Sequence, residues 1–165
     1  MKVTNRYQTT GEITTLFIND IPYIIDTADI DLVKQYHWRV VSVGYAGCVR
    51  RKGKSMTTLY LHRLIIGATE RNQITDHIDG DVRNNRRSNL RFCRQQQNCW
   101  NRSQAKNNTS GRKGVYYKKD TNTWVASITV NQHTIYLGAF TEYDDAVKAR
   151  ENAEKQYYGE YRRVD

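Results

Sequence analysis

The amino-acid sequence predicts an α+β protein built from two small modules. Short apolar runs at 13–18 and 21–25 flank Asn19-Asp20, which indicates a strand, a turn and a strand in a β-rich N-terminal part. In the C-terminal third, three more strand-like runs precede an alanine-spaced helical pattern; they cover 114–118, 124–130 and 134–137. Because 165 residues suffice for one ordinary domain or two small ones, we assign the two groups of elements to separate modules.

The boundary between the modules is expected between Ser103 and Gly111. This stretch, SQAKNNTSG, has one aliphatic side chain and is crowded with residues that favour turns and loops. The predicted organisation is an N-terminal domain over 1–103 with its motif core at 59–102, a linker over 104–111, and a C-terminal domain over 112–165.

The C-terminal strands are predicted to form an antiparallel meander, because 120–122 and 131–132 have turn chemistry. The helix is predicted to start with a capping box at 141–144 and to end at Gly159. Its inward face is expected to carry Ala146, Ala149, Ala153 and Tyr157. We expect Trp124 and Phe140 to fill the space between sheet and helix.

The segment TTLYLHRLII, at 57–66, is compatible with two structures. Its alternation favours a strand, and a strand that passes into a buried helical turn fits equally well. The pattern alone does not decide between them.

Charge points to a polyanionic partner. The chain carries a formal charge of +9, and the 38 residues of 82–119 contain eleven cations and no acidic residue. A solvated basic face is the plain alternative, but interleaved Tyr and Asn favour a surface for nucleic acid. No stretch approaches the roughly 18 continuous apolar residues of a membrane span, and the N-terminus has no apolar signal region. We therefore expect no membrane partner and a cytoplasmic location.

The cysteines give little support for covalent or metal cross-links. Cys48, Cys93 and Cys99 are odd in number and have no close pairs, so a disulfide framework is not expected. Cys93 and Cys99 with His77 or His133 are conceivable zinc ligands, but the C-x-x-C spacing of strong zinc motifs is missing.

A candidate catalytic pair lies at Asp76 and His77. Hydrolysis of a phosphodiester needs a base that deprotonates water and a cation that neutralises the phosphate, and a carboxylate holds such a cation. At the end of a strand, adjacent Asp and His side chains can line one cleft from two directions. His62, among apolar neighbours, is expected to be a packed core histidine.

Four segments together resemble the HNH nuclease family, in particular its phage homing endonucleases. They are LHRLI at 61–65, DHIDGD at 76–81, NNRRSNLR at 84–91 and QNCWNR at 97–102, in compatible order and spacing. The resemblance implies a ββα-metal core, in which two antiparallel strands and a helix surround one divalent metal. It also implies hydrolysis of double-stranded DNA.

The resemblance assigns roles residue by residue. Asp76 and Asn98 would hold the metal, Mg²⁺ or Mn²⁺, and His77 would be the general base. Asn89, the middle residue of the motif, belongs to the catalytic set as the group that holds the loop and orients the histidine. Arg83, Arg86 and Arg87 are expected to contact phosphates. No small-molecule cofactor is implied.

Residues 110–165 resemble the AP2 domain, a DNA-binding module of plant transcription factors that also accompanies phage HNH endonucleases. The similarity covers the GVY start, Trp124, the LGAF segment and the helix. It implies DNA contacts from the sheet and from the basic residues that precede its first strand. The implied contact residues are Arg112, Lys113, Tyr116, Lys118, Ser127, Thr129 and Tyr136. The plant domains mostly have Arg, Glu and Trp at the base-reading positions, so their target sequence cannot be transferred.

The sequence therefore predicts a metal-dependent, site-specific DNA endonuclease of the homing type, acting as a monomer or a homodimer. The alternative from another class is a DNA-binding transcriptional regulator with an inactive HNH scaffold. The intact set of Asp76, His77, Asn89 and Asn98 favours the enzyme.

Overall fold

The computed structural model describes residues 5–53, 55–70, 72–102 and 108–163. The chain divides into two compact units, Met1–Arg94 and Gln95–Asp165. This division precedes the predicted linker at 104–111, of which 104–107 lie outside the described residues. The predicted domain boundary itself stays a prediction.

The first unit begins with a three-stranded antiparallel meander. Its strands are β1 (Arg6–Thr10), β2 (Ile13–Ile18) and β3 (Ile21–Asp26), in the order β1-β2-β3. The two predicted runs are confirmed as β2 and β3. Between them Asn19 and Asp20 adopt left-handed backbone angles, with φ of 50° and 62°, as a tight hairpin turn requires.

A second antiparallel sheet follows a short helix, α1 (Ile30–Val33). Its strands are β4 (Arg39–Val40), β5 (Ala46–Lys52) and β6 (Ser55–Tyr60), and the helix α2 (Leu61–Ile66) continues directly from β6. The segment at 57–66 is therefore a strand that passes into a helix. Gly67 ends α2 in a left-handed conformation, with its N–H bonded to the carbonyl of Leu64.

A two-stranded antiparallel hairpin completes the first unit. It pairs β7 (Ile74–His77) with β8 (Leu90–Cys93), and a long loop over 78–89 joins the two strands. Leu90 is buried in the same hydrophobic cluster as Leu16, Tyr23, Trp38 and Leu61. The hairpin is therefore anchored in the core that the other two sheets share.

The loop over 78–89, named here the site loop, is fastened to β3. The N–H of Ile24 donates to the carbonyl of Arg83 at 2.8 Å, and the N–H of Asn85 donates to the carbonyl of Ile24 at 2.7 Å. Asp26 accepts bonds from Nε of Arg86 at 2.7 Å and from the N–H of Arg87 at 2.8 Å. The N-terminal sheet thus serves as the scaffold of the site loop.

The second unit holds α3 (Gln95–Trp100), β9 (Val115–Lys118), β10 (Thr123–Val130), β11 (His133–Phe140) and α4 (Tyr143–Tyr158). The strands form an antiparallel sheet in the order β11-β10-β9, so the predicted meander is confirmed. Val115 and Ala126 pack against Ala146 of α4, and Trp124 and Phe140 pack against this cluster. The overall α+β class is confirmed as well.

Two details of the predicted C-terminal helix are wrong. The N-cap is Glu142, and no side-chain hydrogen bond caps the helix start among the described residues, so the capping box does not form. Tyr158 is buried, whereas Tyr157 is 37% exposed. The buried face continues through Arg150 and Glu154, whose side chains pair at 2.8 Å. Because these two buried residues are charged, the spacing of apolar residues did not reveal this part of the face.

None of the helices in the described ranges is both long and apolar enough to cross a membrane.

The fastening of the site loop yields a stability prediction. Asp26→Ala removes the acceptor of two bonds that cross from β3 to the loop, so we expect the free energy of unfolding to fall by about 1–3 kcal/mol. Asp31→Ala is the matched control, because Asp31 is an exposed residue of the short helix α1 in the same unit; its effect should stay below about 0.5 kcal/mol. Urea denaturation of both variants measures the difference, and equal effects would contradict the scaffold role of β3.

Candidate functional site

Asp76 and His77 end the strand β7 and are both buried, at 7% and 5% exposure. Asp76 lies opposite Arg91 of β8, and its Oδ2 accepts bonds from Nη2 at 2.8 Å and Nε at 3.0 Å of that arginine. A buried carboxylate needs such a partner, since burial of an unpaired charge is costly. Arg91 is therefore the counter-ion of Asp76 in this structure.

His77 is surrounded by aromatic rings and one amide. Its ring centroid lies 5.1 Å from that of His62 and 5.9 Å from that of Tyr45. Its Nε2 lies 3.3 Å from Oδ1 of Asn85, within hydrogen-bond distance. His62 is itself buried and packs 5.2 Å from the Tyr45 ring, which agrees with the expectation of a core histidine.

Both histidines are neutral at ordinary pH. Burial, together with the neighbouring charges of His77 and Arg63, lowers the pKa of His62 to about 3. Burial likewise lowers the pKa of His77, although the bond with Asn85 and the nearby carboxylates of Asp79, Asp76 and Asp81 act in the opposite direction. A neutral imidazole can accept a proton, as a general base must.

Asn89 ties the two ends of the site loop together. Its Oδ1 accepts the N–H of Asp79 at 3.1 Å, and its Nδ2 donates to Oδ1 of Asp79 at 2.9 Å and to the carbonyl of Asn84 at 2.8 Å. Hydrogen bonds from Asn89, Asp81 and Asn84 outweigh the effect of burial and lower the pKa of Asp79. Gly80 turns the chain with a φ of 74°. The side chain of Asn89 thus braces the site loop, which directly follows His77.

The three arginines of the site loop bind carboxylates of their own unit. Arg83 contacts Asp81 at 3.3 Å, Arg86 contacts Asp26 at 2.7 Å, and Arg87 forms a two-pronged pair with Asp29 whose shortest bond is 2.6 Å. The side chain of Arg87 remains 57% exposed and that of Arg83 52% exposed. Their role as phosphate contacts stays a prediction.

Asn98, the second predicted metal ligand, lies half-buried on α3 in the second unit. Asp76, His77 and Asn89 all lie in the first unit. The joint ligation of a metal by Asp76 and Asn98 stays a prediction.

The donor chemistry suits a hard cation better than zinc. Within the described ranges, no group of three or more His, Cys, Asp or Glu side chains is placed to hold a metal, so the zinc site considered for Cys93 and Cys99 has no support. One carboxylate with an amide oxygen is a ligand set typical of Mg²⁺, which keeps several waters or phosphate oxygens. Asp76 and Asn98 fit such an ion by residue type.

The predicted contact residues of the C-terminal sheet share one face. Side chains alternate along strands, and Val115 and Ala126 point toward α4. The opposite face therefore carries Tyr116, Lys118, Ser127, Thr129 and Tyr136, of which Tyr116 and Tyr136 are 52% and 65% exposed. This set is named here the outer sheet face.

Arg112 and Lys113 are engaged within the second unit. Arg112 pairs with Glu154 at 2.7 Å, and Nζ of Lys113 donates to the carbonyl of Cys99 at 3.2 Å. Burial and the neighbouring Arg150 lower the pKa of Lys113. The predicted contacts of Arg112 and Lys113 with DNA stay a prediction.

The site thus consists of a buried Asp-His pair on a hairpin whose joining loop is braced by Asn89. The chain is 30% identical over 131 residues to an uncharacterized HNH endonuclease of Acanthamoeba polyphaga mimivirus, a match that spans 79% of this chain and 67% of that protein. The chain therefore belongs to the HNH endonuclease family, and the relationship indicates a nuclease.

A second relative is Protein 3.8 of Escherichia phage T7. It is 41% identical over 54 residues, which are 33% of this chain and 45% of the phage protein. The match thus spans less than half the length of that relative. No family model and no solved structure matches the chain.

Several residues of the site were not singled out from the sequence. Arg91 lies within the quoted segment NNRRSNLR, and its role follows only from the cross-strand register that places it opposite Asp76. Asn85 is adjacent to Asn84 in sequence, and no local signal distinguishes the two. Tyr45 comes from a distant segment that carries no motif.

The lowered histidine pKa values predict the course of a titration. In the free protein, the ring of His77 should titrate below the ordinary value of about 6.5, and that of His62 near 3. The folded state binds these protons less readily than the unfolded chain, so the free energy of unfolding should fall as the pH drops below about 6.5. NMR titration of the ring Cε1 protons, with His77→Gln to identify the resonance, measures both values. A His77 midpoint at or above 6.5 would contradict the burial argument.

Proposed function

We propose that the protein is a metal-dependent, site-specific DNA endonuclease of the homing type. The observation that carries the proposal is the buried, neutral His77 directly beside the carboxylate of Asp76 on one hairpin. His77 takes a proton from the attacking water and so generates the nucleophile at the phosphate. Asn89 supports this step by holding the loop that follows His77.

By the family resemblance, Asp76 and Asn98 would hold a divalent cation, Mg²⁺ or Mn²⁺. When bound, the cation neutralises charge on the scissile phosphate and on the leaving oxygen. Arg91 orients the carboxylate of Asp76 through its two bonds to Oδ2. The same arginine places a positive charge at the site where the anionic backbone of DNA has to approach.

The second unit is an AP2-like module that anchors the enzyme on double-stranded DNA. The outer sheet face supports this role, because it combines exposed tyrosines and hydroxyls with Lys118 and carries no carboxylate among the side chains that define it. Lys118 and the exposed arginines of the site loop contact phosphates, which fixes position without reading sequence. Tyr116, Ser127, Thr129 and Tyr136 face the bases.

Each chain has the residues for one active site. One site cuts one strand at a time, so a monomer nicks DNA and a homodimer makes a double-strand break. Mapping the cut ends on both strands distinguishes these outcomes.

The central test uses DNA from around the gene that encodes the protein, with Mg²⁺ or with EDTA. We expect cleavage with Mg²⁺ and none with EDTA, and we expect His77→Ala to lose cleavage by about 10²-fold or more while DNA binding stays nearly unchanged. His133→Ala is the matched control, since His133 is an exposed residue at the start of β11. Cleavage by His77→Ala within tenfold of wild type would remove His77 from the mechanism.

The anchoring role of the outer sheet face is tested by salt dependence. Lys118→Ala removes one phosphate contact, so the slope of log affinity against log salt should become shallower by about 0.9 on duplex DNA. Lys148→Ala is the control, because Lys148 lies on α4, where its side chain is 73% exposed and 3.6 Å from Asp145. If both variants bind with the wild-type slope, the outer sheet face does not engage the DNA backbone.

A further inference from the structure

Asn85 is a polar side chain within hydrogen-bond distance of the candidate base, and both its backbone and its side chain are held by hydrogen bonds. The residue is 1% exposed, which is unusual for a loop asparagine in a unit of this size. Its N–H donates to the carbonyl of Ile24 at 2.7 Å, so its backbone belongs to the bridge that fastens the site loop to β3. The Asn85 side chain is therefore shielded from solvent, and its backbone is held in place by β3.

Hydrogen bonding also fixes which way the Asn85 amide points. Nδ2 lies 3.1 Å from the carbonyl oxygen of Arg83 and 3.3 Å from that of Val82. Carbonyl oxygens accept and never donate, so the amide nitrogen must face them. A flipped amide would set its oxygen against two other oxygens in a buried site, at the cost of two hydrogen bonds. Oδ1 therefore faces Nε2 of His77 at 3.3 Å.

An amide oxygen only accepts hydrogen bonds, so the ring nitrogen opposite it must donate. In a neutral imidazole one nitrogen carries the proton and the other carries the lone pair. We infer that Asn85 is a positioning residue that fixes His77 in the tautomer protonated at Nε2, so that Nδ1 is the atom that accepts the proton of the attacking water. This inference rests on the proposed nuclease function for its catalytic part.

The inference separates two tasks that the family resemblance gives to Asn89 alone. The described bonds of the Asn89 amide run to Asp79 and to the carbonyl of Asn84, and so they brace the site loop. The bond to the His77 ring comes from Asn85, four residues earlier in the sequence. Loop bracing and ring orientation therefore belong to different asparagines in this chain.

The proton balance of the step follows from this assignment. The lone pair on Nδ1 takes a proton from water as the water oxygen attacks phosphorus, and the bond from phosphorus to the leaving oxygen breaks. His77 is then a cation with a proton on each nitrogen, and Oδ1 of Asn85 still accepts the one on Nε2. Asn85 thus serves both the neutral and the protonated ring, which keeps the ring orientation constant through the step.

The test is the nitrogen NMR spectrum of ¹⁵N-histidine-labelled full-length protein at about pH 8, above the ordinary histidine pKa of about 6.5. Long-range couplings from the ring protons identify which nitrogen of His77 is protonated. We expect a single form protonated at Nε2 in the wild type. Asn85→Leu, similar in size but without an acceptor, should give a mixture of both tautomers. Asn84→Ala is the matched control, since the Asn84 side chain donates to Asp79, and it should keep the wild-type pattern.

Kinetics supplies the second readout. Asn85→Leu should lower kcat by roughly tenfold to a hundredfold, a part of the factor of about 10²–10⁴ that a positioned base contributes, with little change in the Kd for DNA. The wild-type spectrum alone tests the proton assignment, so the inference can be refuted even if Asn85→Leu does not fold. A wild-type ring protonated at Nδ1, or a folded Asn85→Leu with wild-type spectrum and kcat, would overturn the inference.

The two proposals fail in distinguishable ways. A protein that cleaves no DNA but shows His77 protonated at Nε2 refutes the nuclease function and leaves the proton assignment intact. A protein that cleaves DNA with its His77 protonated at Nδ1 refutes the role of Asn85 alone.

Discussion

The short parallel bridge between Ile24 and the site loop is the contact on which the candidate site depends. The site loop is rich in Asp, Asn and Arg and contributes few apolar side chains to the core, so it cannot be held by hydrophobic burial. Two backbone bonds to Ile24 and the carboxylate of Asp26 hold it instead. Because Asn85 is itself one end of this bridge, the N-terminal sheet fixes the orientation of the His77 ring, although this sheet lies outside the four motif segments.

Internal pairing changes how the positive charge of the chain should be interpreted. Arg86, Arg87 and Arg91 lie in the stretch free of acidic residues, yet each binds an aspartate from an earlier part of the chain. Their partners are Asp26, Asp29 and Asp76, respectively. Each such pair is neutral, so it leaves the net charge of +9 unchanged but reduces the number of arginines that are available to DNA. Exposed cations such as Lys118 and the exposed side of Arg87 are better placed to contact phosphate than their buried neighbours.

Local periodicity predicted the elements that bury one clean apolar face and missed the elements that do not. The runs at 13–18 and 21–25 are apolar and flank the turn residues Asn19 and Asp20, so β2 and β3 were predicted almost to the residue. In β5, Ala46 and Gly47 are buried whereas Arg50 and Arg51 are exposed, and this strand gave no comparable signal. In α4, Arg150 and Glu154 continue the buried face as an ion pair, which shifted the predicted face from Tyr158 to Tyr157. Asn85 could not be chosen over Asn84, because its burial depends on Ile24, some sixty residues away.

Burial of His77 sets two requirements of a general base against each other. Desolvation keeps the ring neutral and ready to accept a proton, but the same desolvation weakens it as a base. The acceptor oxygen of Asn85 and the carboxylates of Asp79, Asp76 and Asp81 counter part of this loss, since each favours the protonated ring. Asp76 does so while it is bonded to Arg91 at 2.8 Å. The uncharged Asn85 favours the protonated ring without repelling a phosphate. An amide therefore suits this position better than a carboxylate.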